Sequence, residues 1–304
     1  MGLKIFNEEL VEELLHDKTS VLAAVEAMFI QYLHGEATMV PKVYLDVGVG
    51  DDYRAMPSSN KKYVCIKWIS DYTSNQVKGL PTTQALIILN DKSTGAPLAL
   101  IEANHLTKLR TAAATALATR KIVKDEPIEK ISFVGCGAQT LPHIDFLTQV
   151  LGKVDKISLY DVFHPRAHAL AAVRPDVQVA DSLEECVNGS RVVTTLTPAR
   201  EPYLFRPMLP EICHINAVGA DAVGKRELGD DIFSSASMII CDDYEQAKHS
   251  GEMQYFRPLH DIHTACLGYL LRMDEQKTEG LTVYDSTGLA IEDLALAQYV
   301  FENS

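Results

Sequence analysis

The sequence predicts a two-domain α/β protein in which a Rossmann-like doubly wound parallel sheet follows a mostly antiparallel sheet. The chain has 304 residues, of which 47% are hydrophobic and 23% charged, so it is long and apolar enough to form two hydrophobic cores. Its first third groups strand-like runs between short turns, whereas its second half alternates strands with helices. A long Ala- and Leu-rich helix, from Asn104 to Lys124, lies between the two patterns and is interpreted as a bridge between domains.

The first third begins with two amphipathic helices. One is predicted from an Asn7 cap to Leu15, and the next from a Thr19 or Ser20 cap to Gly35. Five apolar runs then predict antiparallel strands joined by hairpins, namely KVYLDVGV, YRAM, YVCIKWIS, TQALIILN and PLALIEA. The closing segment, from Gly288 to Phe301, has a helical pattern and is expected to pack on this first domain.

The second half carries seven apolar runs, separated by helical or loop segments, which predict a parallel sheet covered on both faces. These runs are ISFVG, ISLYD, VQVA, RVVTTLT, CHINAVG, MIICD and LTVYDS.

Charge and composition exclude several classes of function. The formal net charge of −13 disfavours binding to nucleic acid or to an anionic membrane, because like charges repel. The apolar runs are far shorter than the roughly 20 residues of a membrane-spanning helix, so we expect a cytoplasmic protein that contacts neither. The six cysteines form no CxxC pair, and the pairs His164/His168 and His260/His263 have no third ligand at suitable spacing. We therefore expect no disulfide and no metal.

A glycine-containing turn follows the first strand of the parallel sheet. Ile131–Val134 runs into Gly135-Cys136-Gly137-Ala138-Gln139-Thr140, so backbone amides at a helix N-terminus could approach a pyrophosphate. Asp161, at the end of the next strand, can hold the hydroxyl groups of an adenosine ribose. This carboxylate would repel a 2′-phosphate, so NAD is favoured over NADP, although Arg166 leaves NADP open. A turn that serves only tight packing is the alternative.

Polar residues also gather where later strands end, which is where ligands of open parallel sheets bind. These groups are Thr194, Thr195 and Thr197, then Asn216–Asp221, then Asp285–Gly288. Either ordinary turn chemistry or recognition of a nicotinamide amide accounts for them.

Lys67 lies inside an apolar strand of the first domain, and Lys42, Arg54 and Arg110 lie in elements that could converge on it. Such a cationic cluster suits the carboxylate of an amino or keto acid, and it would lower the pKa of Lys67 toward working pH. Lys67 is thus a candidate catalytic base, with a solvated edge-strand lysine as the alternative. Taken by itself, Asp221 reads as a turn residue.

At these residues the sequence resembles the ornithine cyclodeaminase and mu-crystallin family, most closely its archaeal-type alanine dehydrogenase branch. The similar segments occur in family order from about residue 40 to residue 293. They are PKVYLDV, YRAMP, IKWIS, KGLPT, LRTAAATALA, FVGCGAQT, HINAVGADAVGKREL, DDYEQAKHSGE and YDSTGLAIED.

The resemblance implies a Rossmann-like doubly wound parallel sheet inserted in a second α/β domain that forms the interface of a homodimer. Residues 1–118 and 289–304 would then form the substrate-binding and dimerisation domain, and residues 119–288 the NAD-binding domain. Lys67 would donate and accept protons, Lys42, Arg54 and Arg110 would surround the substrate, and Asp221 would face the reacting amine or water.

The residues that would bind NAD come partly from the glycine turn and strand ends described above and partly from the resemblance. They are Arg110, Thr111, Gly135, Gly137, Ala138, Gln139, Asp161, Val162, Phe163, Thr195, Ala217, Val218, Gly219 and Ser286.

Two departures from the family pattern bear on the substrate. Cyclodeaminases that resemble this chain typically present Arg where Lys42 stands and an acid where Arg54 stands. A cation at Arg54 would repel the side-chain ammonium of ornithine or lysine, which disfavours a diamino acid. Relatives also usually carry a His-Pro-Gly-Asn-like turn where Asp71, Tyr72 and Thr73 occur here.

The leading hypothesis is an NAD-dependent amino-acid dehydrogenase that deaminates L-alanine, or a similar small amino acid, reversibly to the 2-oxo acid and ammonium. The first alternative is a reductase of a cyclic ketimine such as pyrroline-2-carboxylate. The second is an ornithine or lysine cyclodeaminase. The third, of another class, is a binding protein that retains the dinucleotide without turnover.

Overall fold

The computed structural model describes residues 2–48, 50–123, 127–256, 263–273 and 279–304. The chain divides into two compact units. Unit 1 comprises residues 1–114 and 289–304, and unit 2 comprises residues 115–288. The sequence analysis placed the first boundary at residue 118. The division therefore falls inside the long helix that was interpreted as a bridge.

Unit 1 is built on a seven-stranded sheet. Its strands are β1 (Lys4–Phe6), β2 (Thr38–Met39), β3 (Val43–Gly48), β4 (Asp51–Ser59), β5 (Tyr63–Tyr72), β6 (Thr83–Asp91) and β7 (Pro97–Glu102). The order is β1-β7-β6-β5-β4-β2, with β3 also on β4, and every pairing except the parallel β1–β7 is antiparallel.

The helices of unit 1 are α1 (Glu8–Leu14), α2 (Lys18–Leu33), the first part of α3 (Asn104–Ile122) and the final helix of the chain, α10 (Ala290–Glu302). Asn7 caps α1 as predicted, through a hydrogen bond from the backbone N–H of Leu10. The predicted cap of α2 was wrong. Asp17, not Thr19 or Ser20, accepts the free N–H groups there, because a carboxylate also favours the positive end of the helix dipole.

The two faces of the unit 1 sheet differ in burial. Along β5 and β6, buried and exposed residues alternate, which is typical of an antiparallel sheet with one covered face. Helix α10 lies on the covered face, where the Ser58 hydroxyl donates to the backbone carbonyl of Ala290 (2.8 Å). The covered face is also the one that carries Lys67.

Unit 2 is an eight-stranded, entirely parallel sheet. Its strands are β8 (Ile128–Val134), β9 (Val154–Tyr160), β10 (Val177–Val179), β11 (Val192–Thr195), β12 (Cys213–Ala217), β13 (Ala236–Cys241), β14 (His263–Cys266) and β15 (Leu281–Asp285). Its helices are α4 (Thr140–Leu151), α5 (His164–Val173), α6 (Leu183–Val187), α7 (Asp230–Ser235), α8 (Tyr244–Ser250) and α9 (Leu267–Arg272).

The strand order of unit 2 is β10-β9-β8-β11-β12-β15-β13-β14, so the direction of winding reverses between β8 and β11. This is the Rossmann-like arrangement that the sequence predicts, with its ligand-binding edge at the carboxyl ends of the strands near the reversal. Every residue of β11, β12 and β15 is buried, as expected for parallel strands covered on both faces. The short strand β14 was missed, because its sequence HTAC has no extended apolar run.

Candidate active site

Lys67 is fully buried in the middle of unit 1. It lies on β5, which pairs with β4 on one side and β6 on the other, so the interpretation as a solvated edge-strand lysine is wrong. Its Nζ donates to Oδ1 of Asp293 over 2.7 Å, and neither side chain is exposed to solvent. A buried ammonium needs such a partner, because an unpaired charge in the interior costs several kcal/mol.

Arg110 reaches the same carboxylate from α3. Its Nε lies 3.1 Å from Oδ1 of Asp293, and its Nη1 lies 2.9 Å from Oε2 of Glu292. Glu292 also accepts the backbone N–H of Leu289 and thereby fixes the first turn of α10. We call Lys67, Arg110, Glu292 and Asp293 the Lys67 cluster.

The two acids of the Lys67 cluster were not predicted as site residues. Glu292 and Asp293 occur in the YDSTGLAIED segment, where acids at a helix start are ordinarily favoured by the helix dipole alone. One available signal was their position in a helix that is otherwise apolar, AIEDLALAQY. Nine residues of that helix are buried, including both acids, so these carboxylates required buried partners.

The environment of Lys67 places its proton equilibrium near neutral pH. Burial lowers the pKa of Lys67 from its ordinary value to about 8. The Asp293 carboxylate opposes this fall, and the positive charge of Arg110 adds to it. A lysine with this pKa can give and take protons at working pH.

Arg54 lies on the same face of the sheet as Lys67, since Arg54 pairs with Ile69 and Lys67 pairs with Met56 across β4 and β5. Its guanidinium contacts two carboxylates, with Nε 2.7 Å from Asp52 and Nη2 2.9 Å from Asp71. It also lies over the ring of Tyr44, at 5.5 Å from the ring centre. These two acids, one from the unusual Asp71-Tyr72-Thr73 stretch, offset the charge of Arg54.

Two more residues predicted for the site, Lys42 and Thr111, belong to unit 1. Lys42 is partly exposed and immediately precedes β3. Thr111, next to Arg110 on α3, is buried, and its hydroxyl donates to the backbone carbonyl of Thr107 (2.7 Å).

The glycine turn of unit 2 joins β8 to α4. Gly135 has a φ of +97°, and a Cβ there would lie 2.9 Å from the carbonyl oxygen of Leu196, so a side chain is excluded. Gly137 has open space around its Cα and is exposed together with Ala138. Oε1 of Gln139 is buried and has no hydrogen-bond donor among the described residues. The turn thus leaves an open approach to the start of a 12-residue helix.

Asp161 follows β9 and lies against this turn. One carboxylate oxygen accepts the backbone N–H of Cys136 and the other that of Phe163, each over 2.8 Å. Each oxygen can accept a further hydrogen bond, such as one from a ribose hydroxyl. Val162 and Phe163, beside it, are exposed.

The carboxyl ends of four neighbouring strands bring most of the other predicted cofactor residues together. Backbone hydrogen bonds join Leu196 to Val134, Val218 to Thr195, and Ser286 to Ala217. Oγ of Ser286 is buried and has no partner within the described ranges. An open glycine turn, a buried carboxylate and two unpaired polar atoms, on Gln139 and Ser286, together fit a dinucleotide.

Glu227 is a further residue that the sequence analysis missed. Its buried carboxylate accepts hydrogen bonds from the backbone N–H groups of Gly219 (2.9 Å) and Thr197 (2.8 Å) and from the hydroxyls of Thr195 (2.6 Å), Thr197 (2.7 Å) and Tyr203 (2.7 Å). A Cβ on Gly219 would lie 2.1 Å from the carbonyl oxygen of Thr197 and 2.7 Å from Cδ of Glu227, so only glycine fits. Glu227 therefore fixes the loops that follow β11 and β12.

Two more buried acids extend this arrangement. Glu252 accepts the backbone N–H groups of Glu227 (2.6 Å) and Leu228 (3.3 Å), and Asp285 accepts those of Glu252 (3.0 Å) and Met253 (2.9 Å). We call Glu227, Glu252 and Asp285 the carboxylate chain. Burial first and mutual repulsion next raise the pKa of Glu252 to about 9, and burial raises that of Asp285 to about 8.

Asp221 lies in the loop after β12 and is partly exposed. Its carboxylate forms an ion pair with Lys225, Nζ to Oδ1 over 2.6 Å. Its predicted part in the reaction stays a prediction.

Within the described part of the chain, no helix is both long and apolar enough to cross a membrane. The same residues contain no group of three or more His, Cys, Asp or Glu side chains arranged to hold a metal ion. His260, one of the histidines considered as a ligand, lies outside the described residues.

Comparison with known proteins places these features in a family. The profile of the ornithine cyclodeaminase/mu-crystallin family matches residues 4–304. An alanine dehydrogenase from Archaeoglobus fulgidus is 37% identical over 314 residues, covering 100% of this chain and 96% of that protein. The ketimine reductase mu-crystallin of Mus musculus is 31% identical over 238 residues, covering 78% of this chain and 75% of its own length.

A solved structure is similar to this chain over its whole length. An archaeal alanine dehydrogenase dimer with bound NAD superimposes with a TM-score of 0.91 at 36% identity, covering 100% of this chain and 96% of that one. The chain belongs to the ornithine cyclodeaminase/mu-crystallin family.

Proposed function

We propose that this protein is an NAD-dependent dehydrogenase of L-alanine or a similar small amino acid. The reaction is L-alanine + NAD⁺ + water ⇌ pyruvate + ammonium + NADH + H⁺. The observation that carries the proposal is the buried Lys67, whose pKa near 8 suits proton transfer and which shares a carboxylate with Arg110. The similarity to an alanine dehydrogenase over the whole chain supports the choice of substrate.

NAD would supply the acceptor for a hydride from the substrate Cα. The glycine turn and the start of α4 would hold its pyrophosphate, and Asp161 would hold its adenosine ribose. The buried hydroxyl of Ser286 and the loop at Gly219 lie at the strand ends where a nicotinamide is recognised. A carboxylate at Asp161 favours NAD over NADP, because it repels a 2′-phosphate.

Lys67 acts as the base and acid of this reaction. In its neutral form it removes a proton from the water that attacks the iminium carbon, and it returns that proton to the nitrogen as the C–N bond breaks. The departing ammonia takes the remaining hydroxyl proton as the C=O bond forms, which gives ammonium. Arg110 supplies a fixed positive charge for the substrate carboxylate. Lys42 and Arg54 are assigned to the surroundings of the substrate. Asp221 is assigned to the orientation of the amine or the water.

A cyclodeaminase that acts on ornithine or lysine is a second candidate, which one observation favours. Asp52 and Asp71 offset the charge of Arg54, so the local charge no longer argues against a side-chain ammonium. The ketimine reductase alternative uses Lys67 as the acid in the opposite direction.

The unit 1 sheet also supports a homodimer. Its face opposite Lys67 exposes a set of large apolar side chains, namely Ile5, Val43, Leu45, Val64, Trp68, Leu86 and Ile88. Exposed apolar patches of this kind mark protein interfaces. We assign this face to a second copy of the chain, so the mass in solution should be twice 33.6 kDa. A monomer would contradict the assignment.

The test of the function is absorbance at 340 nm with purified protein, NAD⁺ and L-alanine, beside L-ornithine, L-lysine and L-proline, with ammonium measured in parallel. Equal amounts of NADH and ammonium from alanine are expected, and NADP⁺ should give slower turnover than NAD⁺. Ammonium from a diamino acid without net NADH would identify a cyclodeaminase instead. NADH from proline would indicate the imine reductase, and no product from any of the four would favour the binding protein.

A further inference from the structure

Gln254 lies on the short 3₁₀ helix Glu252–Tyr255, directly after two residues that the carboxylate chain holds. Asp285 accepts the backbone N–H groups of Glu252 and Met253, over 3.0 and 2.9 Å. Since Asp285 is the last residue of β15, the backbone that carries Gln254 is fixed to the carboxyl end of that strand.

The side-chain amide of Gln254 reaches the loop that follows β12. Its Oε1 accepts the backbone N–H of Gly224 over 3.0 Å, and its Nε2 lies 3.2 Å from the carbonyl oxygen of Lys225 and 3.4 Å from that of Ala222. Nε2 also donates to the carbonyl of Gly251 over 2.8 Å. One side chain thus contacts three residues of a single loop through their backbone groups.

The three loop residues adjoin Asp221. Ala222 is the next residue in the chain, and Lys225 forms the ion pair with the Asp221 carboxylate over 2.6 Å. The backbone N–H of Lys225 donates to the carbonyl of Ala222 over 3.2 Å. Gln254 therefore holds the backbone beside both members of the ion pair. The Asp221 side chain is 32% exposed, so packing confines it less than a buried side chain and a fixed loop matters more for its direction.

We propose that Gln254 is a positioning residue for the reaction, whose side-chain amide fixes the turn 222–225 and thereby holds the Asp221 carboxylate in place. This inference rests on the proposed function, in which Asp221 orients the amine or the water. Gln254 exchanges no proton or bond with the substrate, so its contribution is geometric. Such a contribution can be large, because displacing a catalytic group by about 1 Å can cost about 100-fold in rate.

The groups around the end of Gln254 match an amide. One backbone N–H and three carbonyl oxygens face it, and a primary amide offers an acceptor oxygen and a donor nitrogen in the same place. In Gln254→Glu, a carboxylate that can only accept would face carbonyl oxygens. In Gln254→Met, the side chain keeps its length and loses these hydrogen bonds without gaining a charge. The two variants therefore separate the loss of hydrogen bonds from the addition of a charge.

The first experiment measures kcat/KM for L-alanine at saturating NAD⁺ in Gln254→Met and Gln254→Glu. The matched control is Gln178→Met, at an exposed position of β10. Both Gln254 variants should lower kcat/KM by about tenfold, because Asp221 loses its fixed position, and the control should equal the wild type. A loss confined to Gln254→Glu would overturn the inference, since it would come from the added charge and not from the lost hydrogen bonds.

A kinetic cycle tests whether Gln254 acts through Asp221. It compares Asp221→Asn, Gln254→Met and the double variant under the same conditions. In the Asp221→Asn protein, Gln254→Met should lower kcat/KM further by less than about twofold, because the group that Gln254 positions is already lost. A further loss of about tenfold, as expected for two independent residues, would overturn the inference. An Asp221→Asn protein with the kcat/KM of the wild type would overturn it as well.

Amide hydrogen exchange tests the contact with the loop without turnover. The backbone N–H of Gly224 loses its acceptor in Gln254→Met, so a peptide that covers residues 220–226 should exchange about fivefold faster, while a peptide from β8 should exchange as in the wild type. Unchanged exchange of the loop peptide would overturn the inference, whatever the substrate is. If exchange is faster but wild-type protein makes no NADH from alanine, the proposed dehydrogenase fails while the role of Gln254 in fixing the loop stands.

Discussion

Each unit of this protein buries a group of ionisable side chains, and the two groups are satisfied in different ways. In the Lys67 cluster of unit 1, the side chains of two cations form ion pairs with those of two acids. In the carboxylate chain of unit 2, three acids accept hydrogen bonds from backbone N–H groups and hydroxyls, and none of them forms an ion pair within the described ranges.

The difference indicates what each group is for. A cation paired with a carboxylate can lose or gain a proton without moving the backbone, so the Lys67 cluster suits chemistry. A carboxylate that accepts two or more N–H groups fixes the backbone that carries them, so the carboxylate chain suits positioning of the loops near Gly219. Changes in the Lys67 cluster should therefore act mainly on rate, and changes in the carboxylate chain mainly on stability.

The largest effect is expected from a substitution that disrupts the Lys67 cluster. Lys67→Ala should lower kcat by about 1,000-fold, because the general acid and base is removed. NAD⁺ affinity, measured by fluorescence titration or calorimetry, should remain within about twofold, since the glycine turn and Asp161 belong to unit 2. Unchanged kcat in a folded variant would show that Lys67 is not the base.

The second largest effect is expected from a substitution that disrupts the carboxylate chain. Glu227→Ala leaves five hydrogen-bond donors around Glu227 without their acceptor, and the expected loss is about 3 kcal/mol of unfolding free energy. Thermal unfolding should show this as a fall of roughly 5 °C in melting temperature, because the entropy of unfolding scales with the 304 residues of the chain.

Two controls sharpen the Glu227 prediction. Glu227→Gln, which keeps one acceptor oxygen, should lose less, and Glu211→Ala, at an exposed position of the same unit, should change little. If the Glu227→Ala protein is as stable as the Glu211→Ala control, the carboxylate chain does not stabilise the fold, and the contrast with the Lys67 cluster fails.

The smallest effect, taken per pH unit, is the pH dependence of stability, for which the two groups predict opposite signs. Asp285 and Glu252 have pKa values raised to about 8 and about 9, so the folded state holds protons that the unfolded state has lost. Between pH 6.5 and 8 their contribution should therefore decrease as pH rises, by at most about 1.4 kcal/mol per pH unit for each group. Lys67, with a pKa lowered to about 8, should add stability as pH rises from 8 toward 10.

Melting temperatures measured across this range check both signs. Asp285→Asn should reduce the decrease in melting temperature that occurs as pH rises toward 8. Lys67→Met should remove the increase in melting temperature between pH 8 and 10. A slope that neither substitution changes would mean that neither group governs the pH dependence.

The parallel sheet of unit 2 was predictable because its signal is local. Each apolar run forms one buried strand, and the Gly135–Gln139 turn and Asp161 follow strands that periodicity already defines. The cap of α2 and the strand β14 were not predicted, because several polar residues compete for a cap and a four-residue strand has no distinctive period.

The site in unit 1 was predicted only in part. Lys67 stood out as a charge in an apolar strand, but its partner Asp293 lies 226 residues away in sequence. Arg54 was identified as a cation near the site, whereas its neutralisation by Asp52 and Asp71 depends on the pairing of β4 with β5. Glu227 was overlooked because a single acid in a loop carries no period or motif.

Periodicity and neighbouring residues were enough to predict the α/β class, the strand-turn-helix at Gly135 and Lys67 as the candidate catalytic lysine. Which charged side chains lie in contact depends on the tertiary structure. Oδ1 of Asp293 joins Lys67 and Arg110 from three separate elements, and Glu227 joins the loops after β11 and β12. Electrostatic energy depends on distance in space and on burial, neither of which is a property of sequence separation.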